Sequence, residues 1–360
     1  MLDGYFIIDP TTHAYNLEDA NVRDNPFAKE FRKTLWGLHR DWNSPELVMP
    51  NAAYFTDWDV ELLVDTLFKE SSTDIAAHHY LRLDSWFVDG LCSREKNVAV
   101  ARRWPDRMLA YLGVDPTAGL DICIADLRSQ KAELPEAIGL KLYPDQVNPL
   151  RSWRMDDPTL AYPLFEEAQK LGIRTVAVHK AVPNGPVPLD PYRLGDVDGA
   201  AIHFPGLNFE IVHSGLAFTE ETALAIARFD NVYANLEITT LLLQRAPGAF
   251  ADALALFARW AGTEKIIWST GCLFCHPEPL LRKFIDFQFS DDLMERQGLK
   301  PLSREDKANI LGRNYARMIG LDIEERAGRI ADDEFARFQK ANGGLDAPYA
   351  HWRRHAGVEA

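Results

Sequence analysis

The chain alternates short apolar runs with stretches whose apolar residues recur at helical spacing, and the alternation continues to about residue 320. Eight runs have the composition of strands: "YFIID", "TDIAAHHY", "RMLAYLGVDP", "AIGLKLYP", "IRTVAVHKA", "LNFEIVHSG", "NVYANLE" and "KIIWSTG". Near-continuous apolarity within a run predicts a strand buried on both faces, as in a parallel sheet covered by helices. "WDVELLVDTLFKES", "PLFEEAQKLG" and "TEETALAIARF" show the helical period and predict such covering helices. Eight strand–helix units predict an α/β fold of the (β/α)8 TIM-barrel type. A doubly wound open sheet is the competing arrangement, but no G-x-G-x-x-G follows the first strand.

Two regions fall outside the repeat. Residues 17–51 form a long insertion after the first strand, with "EFRKTLWGLHRDWNSPE" inside it, and long segments at strand carboxyl ends commonly build substrate pockets. After residue 320 the chain turns charged and helix-permissive. The expected organisation is a barrel over 1–320 and a helical extension over 321–360.

Composition narrows the function. A chain of 360 residues, 47% hydrophobic, is long enough for one large core. Fifty-three acidic against 39 basic residues give a net charge of −14, which opposes binding to nucleic-acid backbone or an anionic membrane and points to a small-molecule partner. No stretch approaches the ~20 apolar residues of a membrane span, and "MLDGYFIIDP" has no basic segment leading an apolar one, so a cytoplasmic location is expected. Cys92, Cys123, Cys272 and Cys275 are too few and scattered for a disulfide framework and are expected to be reduced.

The chemistry of a barrel sits where its strands end. His13, His79, His179 and His213 fall at or just beyond the ends of strands one, two, five and six. A single histidine at such a place is usually a hydrogen-bonded core residue. Several from separate strands offer neutral nitrogens to a divalent metal, which can lower the pKa of a bound water to about 7. His78 and His79 are adjacent, so one of the two points inward.

Taken in order, "IIDPTTHAY", "FVDGLCSREKNVAVARRWPDRMLAYLGVDP", "GLKLYP", "VAVHKA", "EIVHSG", "IIWSTG" and "KANILGRNYARMIGL" resemble the amidohydrolase superfamily. The likeness is to its amidohydrolase-related branch, which includes the amino-carboxymuconate-semialdehyde decarboxylase-like enzymes. It spans roughly residues 5–321 and implies an amidohydrolase-like barrel, a divalent metal (zinc first, iron or manganese otherwise) and a homodimer. It also implies that His13, His179 and His213 are metal ligands, with Lys141 at the strand-four position that bridges two metals in binuclear members. Two positions depart from the pattern. Thr11 stands where the first histidine of the strand-one pair is usual, and Gly271 where an aspartate usually follows strand eight.

Glu237, at the end of strand seven, is a candidate replacement for that carboxylate, the alternative being a loop or cap glutamate. Lys141 has three readings: a free ammonium for a substrate carboxylate or oxyanion, a metal-bridging carbamate, or an interior lysine paired with Asp9 or Glu237. Cys272, Cys275 and His276 form C-x-x-C-H, a spacing shared with thiolate metal sites and haem attachment. The reading preferred here puts Cys272 and His276 beside the pocket, His276 as a proton carrier and Pro277 as a helix start. His79 is a further candidate proton carrier. Aromatic residues Trp36, Trp42, Tyr54, Trp86 and Phe87 suggest an apolar ligand. These features together predict a metal-dependent hydrolase of a small carboxylic-acid derivative (ester, amide, lactone or thioester). Non-oxidative decarboxylation of a small acid is the alternative reaction, and a catalytically silent binding barrel the alternative class.

Overall fold

In a computed structural model that describes residues 2–356, eight parallel strands form one sheet. They are β1 (Ile8–Thr12), β2 (Ile75–His79), β3 (Met108–Gly113), β4 (Gly139–Leu142), β5 (Thr175–His179), β6 (Asn208–Val212), β7 (Val232–Asn235) and β8 (Ile266–Ile267). Each pairs with the next in chain order, without the reversal that defines a doubly wound sheet, and the sheet curls into a TIM-barrel-like fold. Covering helices include Val60–Phe68, Ala161–Lys170 and Thr219–Arg228, all within the segments whose periodicity predicts them.

The backbone ladder stops between β8 and β1. The gap is bridged just beyond it, where the Gly271 amide donates to the Thr11 carbonyl (3.0 Å) and the Leu273 amide to the His13 carbonyl (3.2 Å). β1 accordingly runs further than its apolar stretch suggests, because its polar residues serve this seam. Asp9 accepts from the Ser269 hydroxyl (2.8 Å) and the Thr270 amide (3.1 Å), and Thr12 donates to the Ala77 carbonyl across to β2 (2.8 Å).

Strand parity decides which side chains face the barrel interior. Ile75, Ala77, Leu109, Tyr111, Ala177, Val212 and Ile267 make the inner cluster, closed at the amino-terminal end by Tyr315, Ala316 and Ile319. Ala76, Ala110, Leu140, Val176, Val178 and Ile211 belong to the layer between sheet and helices. His79 is therefore inward and His78 outward. His78 bonds Asn97 (3.0 Å) and lies 3.1 Å from the Cys92 sulfur.

The insertion after β1 contains α1 (Pro26–Trp42), capped where the Asn25 side chain accepts from the Ala28 amide (2.8 Å) and started by a proline, whose missing N–H costs nothing at that position. His39 pins α1 to the chain beyond β8. One ring nitrogen donates to the Phe274 carbonyl (2.7 Å) and the other accepts from the Met49 amide (2.9 Å), while burial holds its pKa near 4 and the ring neutral. Beyond the barrel, helices Ile323–Ile330, Glu334–Asn342 and Ala350–Ala356 follow, and residues 357–360 of the expected extension lie outside the described residues. Among the described residues no helix is long and apolar enough to cross a membrane.

Candidate active site

A cavity of about 250 Å³ opens at the carboxyl ends of the strands. One wall is polar, made of His13, Lys141, His179, His213 and Glu237; the opposite wall is the apolar stripe of α1, with Phe31, Leu35, Leu38 and Trp42 at helical spacing. Tyr15, Tyr143 and Phe274 join them, and Val182 to Gly185 supply the rim after β5. Strand ends converge on the barrel axis, so four of the residues expected from sequence to bind metal share one wall.

Their hydrogen bonds fix where the protons sit. The Val182 carbonyl can only accept, so His179 carries its proton on Nε2 (2.9 Å) and offers a bare Nδ1. His213 Nε2 donates to that Nδ1 (3.0 Å), which leaves His213 Nδ1 without a proton, 3.2 Å from Glu237 Oε2 and 3.4 Å from the Glu237 carbonyl. His13 Nε2 lies 3.5 Å from Glu237 Oε1, and His13 Nδ1 is buried without a partner. With neutral rings, a lone pair therefore faces a carboxylate and a carbonyl with no hydrogen between them, so this contact is one proton short.

Burial keeps the rings neutral. It carries His13, His79 and His179 well below the usual imidazole value, and the Lys141 charge adds to the effect on each. His213 is held near 4, burial outweighing the opposing Glu237 carboxylate. Neutral imidazoles and a carboxylate fit a divalent metal in kind. In this arrangement His179 and His213 still spend a nitrogen each on one another, and among the described residues no three His, Cys, Asp or Glu side chains already surround a cation position.

Gly271 explains the carboxylate. A Cβ built there would lie 2.8 Å from Glu237 Oε1, so the β7 carboxylate fills the space that a side chain after β8 would enter. With φ +74°, this corner also favours glycine. Thr11, at the other departure, accepts from the Asn235 side chain (3.0 Å).

Lys141 is 2% exposed, lines the cavity and forms no hydrogen bond or ion pair among the described residues; it pairs with neither Asp9 nor Glu237, and its ammonium sits 5.3 Å from the Tyr143 ring. Burial lowers its pKa to about 8 against the pull of Glu237 and Glu210. His79 is beneath the cavity rather than in its wall. It stacks on Tyr111 at 4.0 Å, touches the His13 ring edge-on at 5.5 Å and bonds the Pro10 carbonyl (2.7 Å).

His276 corrects the expectation for the strand-eight corner, since it points away from the cavity. It precedes helix Pro277–Asp286, and its Nε2 lies 3.3 Å from Glu70, a carboxylate that also accepts the Tyr349 amide (2.7 Å). Phe274, not Cys272 or His276, reaches the cavity from this loop, and burial raises the Cys272 and Cys275 thiols well above their usual pKa. Of the aromatic residues singled out, Trp42 lines the cavity, whereas Trp86 and Phe87 pack against Phe31 behind it and Trp36 against Tyr54.

The sequence profile of the amidohydrolase family matches residues 62–321. No curated protein matches the chain. Among solved structures, an uncharacterised TIM-barrel protein from Bordetella bronchiseptica is similar at TM-score 0.61 and 18% identity, covering 90% of this chain and 99% of that one. A probable 2-pyrone-4,6-dicarboxylic acid hydrolase from Acinetobacter baumannii, with citric acid bound, reaches TM-score 0.53 at 12% identity over 88% of this chain and 99% of that one. A 5-carboxyvanillate decarboxylase from Novosphingobium aromaticivorans, with bound manganese and a nitrobenzoic acid, reaches 0.53 at 12% over 88% and 98%. At these identities the likeness is one of fold, and it includes both a hydrolase and a decarboxylase. With the profile spanning more than half of its length, the chain belongs to the amidohydrolase family.

Proposed function

We propose that this protein is a metal-dependent hydrolase of small carboxylic-acid derivatives with an apolar body, its metal held by His13, His179, His213 and Glu237. The supporting observation is the polar wall of the cavity: three buried neutral imidazoles and a carboxylate, with no proton between His213 and Glu237, beside the Lys141 ammonium. A divalent cation held there would supply Lewis acidity towards a carbonyl and a nucleophilic water near neutral pH. Lys141 donates to the anionic oxygen of the substrate, and Glu237 accepts the proton released on hydrolysis in place of the missing aspartate. Lys141 acts as an ammonium, because a carbamate would add negative charge beside Glu237 and Glu210. Phe31, Leu35, Leu38 and Trp42 exclude water and hold the apolar body.

Metal content and product identity test this reading together. Wild-type protein loaded with Mn2+ is expected to retain it after dialysis, His213→Ala and Glu237→Gln to lose it, and Lys141→Met to retain it. Loaded enzyme is then expected to release acid from a panel of aryl and alkyl esters and lactones. Release of CO2 from aryl acids instead would assign the same wall to decarboxylation, and retained metal with neither product would leave a binding barrel.

A further inference from the structure

The groups that hold Glu237 converge on Asn235, a side chain outside the lining of the active-site cavity and of a type that is not a usual ligand. Asn235 is the last residue of β7 and is completely buried. Its Oδ1 accepts from the Glu237 amide (3.0 Å), and its Nδ2 donates to Thr11 Oγ1 (3.0 Å) and to Glu210 Oε2 (2.9 Å). Its backbone carbonyl accepts from the amide of Ser214 (3.0 Å), the residue after His213. Glu210, inside the barrel, is fixed in turn by Thr175 (2.8 Å) and Tyr111 (2.5 Å).

The backbone on both sides of this hub is held in an unfavourable conformation. His213 has φ +67° and Ile238 has φ +60°, left-handed values that are unfavourable for a non-glycine residue and persist only where surrounding contacts enforce them. Asn235 contacts both turns: one through its carbonyl, the other through its side chain. Thr11, where the resemblance expects a histidine, is one of its two anchors, Glu210 the other. We infer that Asn235 is the positioning residue of the site, using Thr11 and the buried Glu210 carboxylate as fixed points from which it aims Glu237 and braces the turn of His213. The inference rests on the proposed metal role of Glu237 and His213, and it gives Thr11 a use: it holds the replacement carboxylate in place instead of a ligand.

Two readouts test it: Mn2+ affinity of purified protein by chelator competition, and the position of Glu237 in a metal-free crystal structure. Asn235→Ala is expected to weaken Mn2+ binding about 10–100-fold, the range for loss of a partner that orients a metal ligand, and to release Glu237 from His213. Asn314→Ala is the control. It removes a buried asparagine that donates two 2.7 Å bonds to backbone carbonyls elsewhere, and it is expected to lower the thermal midpoint but leave Mn2+ affinity unchanged. In Asn235→Asp combined with Glu210→Gln, the aspartate keeps the acceptor for the Glu237 amide and the glutamine restores a donor between the two side chains. This pair is expected to recover the affinity. Should Asn235→Ala not fold, Asn235→Thr, too short to span both anchors, takes its place.

Affinity equal to wild type in the position-235 variant, or a loss matched by Asn314→Ala, overturns the inference. So does a Glu237 carboxylate that stays on His213. Wild-type protein that binds no Mn2+ overturns the proposed function and this inference with it.

Discussion

Lys141 enters the cavity as an ammonium with no carboxylate of the described residues within ion-pair distance, and in the proposed role its proton is a condition for binding an anion. Its pKa of about 8 lies below the ordinary lysine value because burial penalises the charge. The cation is thus present at neutral pH and lost as pH rises through 8. For a carboxylate-bearing substrate, kcat/KM is expected to fall about tenfold per pH unit above 8, the slope of a single deprotonation. Lys141→Met should abolish that limb while lowering kcat/KM at pH 7; a pH–rate profile on both proteins checks it. At this scale the sequence was informative where a side chain both ends a strand and belongs to a recognisable type, as His13, His179, His213 and Glu237 do. Asn235 stands two positions before Glu237 in the same run, yet nothing in its type marks it. His276, expected beside the pocket as a proton carrier from its place after strand eight, instead sits at the start of a helix that turns its ring towards Glu70.

At the scale of elements, all eight strand segments were legible, because burial on both faces leaves a continuous apolar signature. The polar end of β1 beyond Asp9 was not, since Thr11 and Thr12 are there for partners on β7 and β2, which only the closed sheet brings near. The role of α1 was legible in outline as a pocket-building insertion, but not the face it presents. That face depends on the N-terminal cap and on the tie from His39 to Phe274. Asn25→Ala removes the cap bond to Ala28, and is expected to cost about 1 kcal/mol in urea unfolding. Because α1 supplies the apolar wall, the same variant should raise KM for apolar substrates more than it lowers kcat.

At the scale of the whole molecule, a net charge of −14 surrounds a site that is proposed to take anions. Repulsion should slow the approach of a carboxylate at low ionic strength, and salt should relieve it, since the screening length falls from about 30 Å at 0.01 M to about 8 Å at 0.15 M. kcat/KM for an anionic substrate is therefore expected to rise over that range and for a neutral ester to stay flat, a comparison that stopped-flow or steady-state kinetics can make. The break between β8 and β1 has a mechanical meaning on the same scale. A sheet that ends in two lips is a split ring, and His13 hangs from one lip while Gly271, against Glu237, belongs to the other. His13, just past β1, and Phe274, just past β8, both line the cavity, so a ligand bound there is expected to clasp the seam and raise the thermal midpoint of the barrel.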